Sequence, residues 1–223
     1  MNTNTPNIDD IIKETTNSSF EILKELKNNG SSTKTKLIIP NYQNNQSEDD
    51  NGDKERVSEQ ELRFVFVEQL LKRLPDGYYY SIETPTDRHY KFSENGINIT
   101  PVREEGQSGN FDLTINKDKQ RVAIIEFKAK SSSPHAYAKD FCKLWYSKEG
   151  KGKNTYRYFI NVFESMNKRT MNSFVDKITN PNNKHSFKKQ QGDIDVWVVC
   201  KSLTEGQTDF EFEGWDSDLK KLA

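Results

Sequence analysis

The spacing of apolar residues along the chain predicts a mixed α/β domain. Leu62, Phe66 and Leu70 recur at every fourth position after Ser58, a good N-cap, and predict a helix over Val57–Leu74. Shorter apolar runs follow it; they predict strands over Tyr78–Thr84, Asn110–Ile115, Arg121–Ala129, Tyr156–Phe163, Ile194–Cys200 and Phe210–Trp215, and helices over His135–Tyr146 and Ser165–Ile178. Local hairpins beside helical crossovers imply a mixed β-sheet flanked by helices.

Two further segments precede this predicted domain. Asn7–Asn29 has partial helical periodicity with a polar middle, which favours either one helix or two short ones. Asn41–Glu55 is acidic and has no apolar periodicity, which is typical of a flexible linker. The sequence therefore predicts an N-terminal helical arm over residues 1–40, a linker over 41–56 and the main domain over 57–223. The arm either recruits a partner or a second copy, or docks on the main domain.

The predicted hairpin from Gly109 to Lys130 carries the candidate chemistry. Its second strand begins with Val122–Ile125, which is apolar on both faces and indicates a central strand covered by helices. Glu126 and Lys128 follow two residues apart and therefore share a face, and Asp112 lies on the partner strand. We expect the hairpin to bring these three side chains together at one end of a buried sheet.

Charged side chains in such a place need partners, because removing them from water is costly. We expect Phe111, Leu113 and Ile115 to face away from Asp112. Two adjacent carboxylates repel each other and favour a hard divalent cation, which takes oxygen ligands and often keeps several waters. A neighbouring lysine can offset charge that develops on phosphorus. This combination suits metal-assisted phosphodiester hydrolysis; the alternative is a solvated strand end with a weak surface ion pair.

The order of Asp112, a turn and then Glu126-Phe127-Lys128 resembles the signature of the PD-(D/E)XK nuclease superfamily, whose fold is restriction-endonuclease-like. The resemblance implies a nuclease that depends on Mg²⁺ or Mn²⁺. It implies that Asp112 and Glu126 hold the metal, that the carbonyl of Phe127 adds a ligand, and that Lys128 assists the attacking water.

The resemblance covers Ser58 to Leu203 as a pattern of elements, and Phe111 stands where the family name has proline. The first helix of this family often donates another glutamate. Helical geometry favours Glu59 for that role, because it lies above Leu62 and Phe66 on the face toward the sheet. The alternative for Glu59 is a first-turn acid that complements the helix dipole.

The charge distribution indicates where a nucleic acid would bind. The chain has a net charge of −1, but Arg121–Lys201 holds 16 Lys and Arg against 7 Asp and Glu. The lysines predicted to contact nucleic acid are Lys130, Lys139, Lys143, Lys188 and Lys189. Lys143 is also an auxiliary candidate facing the site; the alternative is that Lys139 and Lys143 form a solvated surface pair beside Asp140.

Composition limits the remaining choices. Hydrophobic residues make up 32% of the chain and the mean hydropathy is −0.95, so we expect part of it to be solvated. No apolar run reaches membrane-spanning length and no signal peptide is evident, which predicts a cytoplasmic protein with no membrane partner. Cys142 and Cys200 lie in apolar surroundings and read as core residues.

Several functional alternatives follow from the resemblance. DNA is the default substrate, and analogy with the family suggests a role in defence against foreign DNA. An RNA-directed enzyme is a further alternative. The protein is expected to act either alone or as a homodimer, since many relatives act as dimers. A protein partner is expected to bind through the N-terminal helix. The alternative function is a catalytically inactive nuclease-like module for binding or regulation, recruited by its N-terminal arm.

Overall fold

The structure is a computed structural model that describes residues 7–39, 57–93, 96–100, 106–146, 155–179, 196–204 and 210–213. These residues form four helices and seven strands. In chain order they are α1 (Ile8–Asn29), α2 (Glu59–Leu71), β1 (Tyr78–Ser93), β2 (Gly96–Thr100), β3 (Gln107–Lys117), β4 (Gln120–Ala129), α3 (Pro134–Tyr146), β5 (Tyr156–Phe163), α4 (Lys168–Thr179), β6 (Trp197–Ser202) and β7 (Phe210–Glu213).

The strands form one mixed sheet in the order β2-β1-β3-β4-β5-β6-β7. β4, β5 and β6 are parallel to one another, and the other neighbouring pairs are antiparallel. Residues of α1 and α2 pack with Ile125 on one face of the sheet, and residues of α3 and α4 pack with Ile124 on the other. The predicted mixed α/β sheet with helices on its faces is confirmed, with β4 in the centre and β7 at an edge.

Helix α1 is a single helix that docks on the sheet. Its polar middle lies within the helix, and the buried hydroxyls of Thr16 and Ser19 are satisfied because they donate to backbone carbonyls one turn earlier, at 2.8 and 2.7 Å. Ile12, Phe20 and Leu23 are fully buried in the core that α1 shares with α2 and the sheet. The docked arrangement is therefore the one observed. The predicted linker lies outside the described residues.

The hairpin turn and the first strand differ from the sequence prediction in their bounds. Asp118 and Lys119 alone form the turn, with φ of 49° and 64°, as a two-residue hairpin requires. β1 continues to Ser93, through a region expected to be a polar excursion with weak strand signals, because it pairs with β3 and then with β2.

The expectation that Phe111 faces the same way as Leu113 and Ile115 is wrong. Phe111 packs in the core beneath α3, whereas Leu113 and Ile115 pack beneath α1 and α2. The alternation breaks beside Glu83 of β1, whose φ of 48° lies in the left-handed region. This distortion lies directly next to the candidate site.

Both cysteines are buried, as the sequence predicts, and neither forms a disulfide. No helix in the described part of the chain is long and apolar enough to cross a membrane.

Candidate active site

Asp112 and Glu126 lie where the β3–β4 ladder ends. The last paired residues are Leu113 and Ile125, so Asp112 and Glu126 are the next pair in register. There the Oδ2 atom of Asp112 accepts the backbone N–H of Phe127 at 2.7 Å. Asp112 is 8% exposed and Glu126 is fully buried. The antiparallel register of the hairpin thus places two carboxylates at the same buried end of the sheet.

Lys128 joins the two helical layers at this end of the sheet. Its Nζ atom lies 3.2 Å from Oε2 of Glu59, in the first turn of α2, and 2.8 Å from Oδ2 of Asp140, on α3. α2 and α3 cover opposite faces of the sheet. Glu59 therefore does reach the cluster, as helix geometry predicted.

Lys143 lies inside the cluster. Its ammonium donates to Oε2 of Glu126 at 2.6 Å and to the carbonyl of Asn110 at 2.8 Å, and it lies 3.1 Å from Oδ1 of Asp140. Lys143 and Asp140 are each 4% exposed. The alternative of a solvated Lys139–Lys143 pair is therefore wrong for Lys143, because α3 turns Lys143 and Asp140 toward the sheet together with Phe141 and Leu144. Lys139 is exposed, as that alternative expects.

Two further charged residues belong to the cluster, and the sequence reasoning missed both. Nη2 of Arg63 donates to Oδ1 of Asp112 at 2.8 Å, and Nη1 donates to Oε1 of Glu83 at 2.6 Å. The Arg63 guanidinium also lies 3.6 Å from Glu59, one turn earlier on α2. That i,i+4 spacing was a sequence signal for Arg63. No sequence signal pointed to Glu83, because its position depends on the distorted backbone of β1.

The other lysines predicted to contact nucleic acid lie outside this cluster. Lys130 and Lys139 are exposed. Lys130 has a left-handed φ of 67°, and its backbone N–H donates to the carbonyl of Val162 at 2.7 Å. Lys188 and Lys189 lie outside the described residues.

The cluster contains more carboxylates than cations. Five acids surround three cations, so the formal charge is two units negative with every group ionised; the acids are Glu59, Glu83, Asp112, Glu126 and Asp140, and the cations are Arg63, Lys128 and Lys143. Such a surplus favours either retained protons or an added cation.

The pKa shifts follow the same imbalance. Burial raises the pKa of Glu126 well above its ordinary value; Lys143 opposes this, and the charges of Asp140 and Asp112 add to it. Burial also raises the pKa of Asp112 and of Glu59. Burial by itself would lower the pKa of Lys128, but its carboxylate neighbours, above all Asp140, raise the pKa by more. The net shift of the Lys128 pKa is therefore upward. The lysines therefore stay charged at neutral pH, and the buried acids hold protons more readily than exposed acids do.

The donors present fit a hard divalent cation. Oε1 of Glu126 is buried and accepts no hydrogen bond from the described residues. A cation there would satisfy that oxygen and offset the negative charge, and carboxylate oxygen is the donor that Mg²⁺ and Mn²⁺ prefer. Within the described ranges, no three His, Cys, Asp or Glu residues are spaced to hold a metal by themselves. A cation bound at Glu126 would therefore also need backbone or water ligands.

No family model matches this chain, and no curated protein or solved structure matches it either.

Proposed function

We propose that the protein is a divalent-cation-dependent nuclease with a restriction-endonuclease-like fold, and that the cluster around Asp112, Glu126 and Lys128 is its active site. One observation carries this proposal: Asp112 and Glu126 are the next pair in register where the β3–β4 ladder stops, and one oxygen of the buried Glu126 has no hydrogen-bond donor among the described residues. The fold part is supported by the element order, in which a helix precedes an antiparallel hairpin and α3 crosses over to the parallel strand β5.

Each residue has a role in this proposal. Asp112 and Glu126 hold Mg²⁺ or Mn²⁺, with the main-chain carbonyl of Phe127 as a further ligand. When bound, the metal supplies Lewis-acid activation of the phosphodiester. Lys128 stays an ammonium, because its carboxylate neighbours raise its pKa. It therefore orients the attacking water and offsets charge on phosphorus, while Glu59 holds Lys128 from the side of α2.

DNA is the proposed substrate, and defence against foreign DNA is the proposed role. The excess of Lys and Arg over Arg121–Lys201 supports a polyanionic partner. Lys130, which follows β4, and Lys139 on α3 are exposed residues that could contact its backbone. A homodimer would place two such sites on a duplex, one for each strand.

A second candidate function, an inactive nuclease-like binding module, is favoured by one observation. Both oxygens of Asp112 already accept hydrogen bonds, from Arg63 and from the Phe127 N–H, and Lys143 already pairs with Glu126. A cluster that offsets its own charge in this way suits a scaffold that no longer binds metal. Recruitment through α1 is less favoured, because its apolar face is part of the core.

A cleavage assay separates these two functions. Plasmid, linear duplex, single-stranded DNA and RNA are each incubated with the protein in Mg²⁺, Mn²⁺ or EDTA. We expect DNA cleavage that requires the metal, and a loss of about 100-fold or more in Glu126→Gln and Lys128→Met. Asp118→Asn is the matched control, because Asp118 is exposed in the turn at the other end of the same hairpin.

Cleavage that persists in both site variants would overturn the nuclease assignment at these residues. No cleavage of any substrate by a folded wild type would favour the binding module.

A further inference from the structure

Asp140 is the one acid in the described cluster that contacts both lysines. Its Oδ2 atom lies 2.8 Å from Nζ of Lys128, and its Oδ1 atom lies 3.1 Å from Nζ of Lys143. Each oxygen of a single carboxylate thus faces a different ammonium, and the side chain is 5% exposed. A buried carboxylate in this arrangement fixes two long, flexible side chains at once.

The remaining partners of the two lysines would draw them apart. Apart from Asp140, Lys128 contacts Glu59, whose side chain is 33% exposed in the first turn of α2. Lys143 contacts Glu126 and the carbonyl of Asn110. Without Asp140, Lys128 would follow Glu59 toward solvent, and Lys143 would pair with Glu126 alone, on the carboxylate that a metal needs.

The backbone of α3 is itself held in place next to Asp140. Tyr137, one turn earlier, donates its hydroxyl to the carbonyl of Lys130 at 3.3 Å and accepts the Ser132 N–H at 3.1 Å. The same hydroxyl accepts a hydrogen bond from the amide of the buried Asn161 at 3.2 Å. These contacts anchor the first turn of α3 to the ends of β4 and β5. The backbone that carries the Asp140 carboxylate is therefore held in place.

We propose that Asp140 is a positioning residue of the nuclease: it holds Lys128 at the place of the attacking water and keeps Lys143 shared between two acids, away from full pairing with Glu126. This inference rests on the proposed function. Asp140 touches neither the phosphate nor the metal in this role; it acts through the two lysines.

The test uses the full chain and three variants, Asp140→Asn, Asp140→Glu and the control Asp118→Asn. In the metal-free protein, ¹⁵N-lysine NMR detects ammonium groups whose protons are held in buried hydrogen bonds and exchange slowly. We expect two such signals, assigned by their loss in Lys128→Met and Lys143→Met. In Asp140→Asn the Lys128 signal should disappear and the Lys143 signal should shift, because Lys143 keeps Glu126 as its partner. Both signals should be unchanged in Asp118→Asn.

The kinetic arm measures kcat and KM on the DNA substrate that the wild type cleaves. We expect Asp140→Asn to lose about 10- to 100-fold in kcat, the usual cost of losing an outer positioning partner. KM should change by less than about twofold, because Asp140 does not contact the substrate. Asp140→Glu keeps the charge and should recover part of kcat. If Asp140→Asn does not fold, Asp140→Ser takes its place, and a folded Asp140→Ser that keeps full kcat with both ammonium signals unchanged would overturn the inference.

The two arms separate the possible failures. If the wild type cleaves and Asp140→Asn keeps full kcat with both ammonium signals unchanged, the inference is overturned and the proposed function stands. A folded wild type that cleaves nothing would overturn the proposed function and, with it, the nuclease role of Asp140. The NMR arm would then still show whether Asp140 orders the lysines.

Discussion

Glu126 is the residue on which the chemistry of the cluster depends most. It is fully buried, it pairs with Lys143 through one oxygen, and its other oxygen has no hydrogen-bond donor among the described residues. Ionising a carboxyl in such a place costs free energy, and a divalent cation would repay part of that cost. The protein thus keeps at this position an ionisable group whose charged form is unfavourable for folding, which is typical of a functional site.

This burial predicts how stability changes with pH. The pKa of Glu126 in the folded protein is raised from the ordinary 4.5, mainly by burial. Between 4.5 and the raised value the unfolded chain releases its proton first, so this residue makes stability fall as pH rises. The amide side chain of the Glu126→Gln variant cannot ionise. As the pH rises across that window, the free energy of unfolding of the variant should therefore increase relative to that of the metal-free wild type.

Urea unfolding of both metal-free proteins at a series of pH values checks this prediction. A constant difference between the two proteins at every pH would contradict it.

At the scale of elements, local patterns predicted some features and tertiary contacts decided the others. β5 runs over Tyr156–Phe163 as predicted, because an uninterrupted run of strand formers is a local signal. The length of β1 was not predictable, because it depends on pairing with β2 and β3.

The residues of the candidate site likewise include some that local sequence patterns predicted and some that depend on tertiary contacts. Alternation along β4 located Glu126 and Lys128, the pairing of the two hairpin strands located Asp112, and helix geometry located Glu59. Asp140 was missed, because a polar residue beside Lys139 reads as solvated until the packing of α3 against the sheet is known. The face of Phe111 was misjudged, because the left-handed backbone at Glu83 leaves no trace in the spacing of apolar residues.

The docking of α1 gives a prediction at this scale. Phe20 is fully buried in the core shared with α2 and the sheet, so Phe20→Ala should destabilise the protein by about 3–5 kcal/mol. Asn17→Ala, on the exposed face of the same helix, should change stability little. Chemical denaturation of both variants measures this. Equal stability of Phe20→Ala and wild type would mean that α1 is an arm independent of the domain.

At the scale of the whole molecule, the cluster connects the layers of the fold at one end of the sheet. Arg63 and Glu59 reach it from α2, the carboxylates come from β3 and β4, and Asp140 reaches it from α3. The carboxyl ends of the parallel strands lie on this side, which is where open α/β sheets commonly bind ligands. A metal bound here would therefore stabilise contacts between both helical layers and the sheet.

Calorimetric titration of Mg²⁺ or Mn²⁺ into the metal-free protein tests the central claim most directly. We predict that the wild type binds a divalent cation, that Asp112→Asn and Glu126→Gln each lose that binding, and that Asp118→Asn retains it. We further predict that binding weakens as the pH falls, because the ligands must release protons whose pKa values burial has raised. Equal binding heats in the wild type and in both ligand variants, or no binding by a folded wild type, would contradict the account.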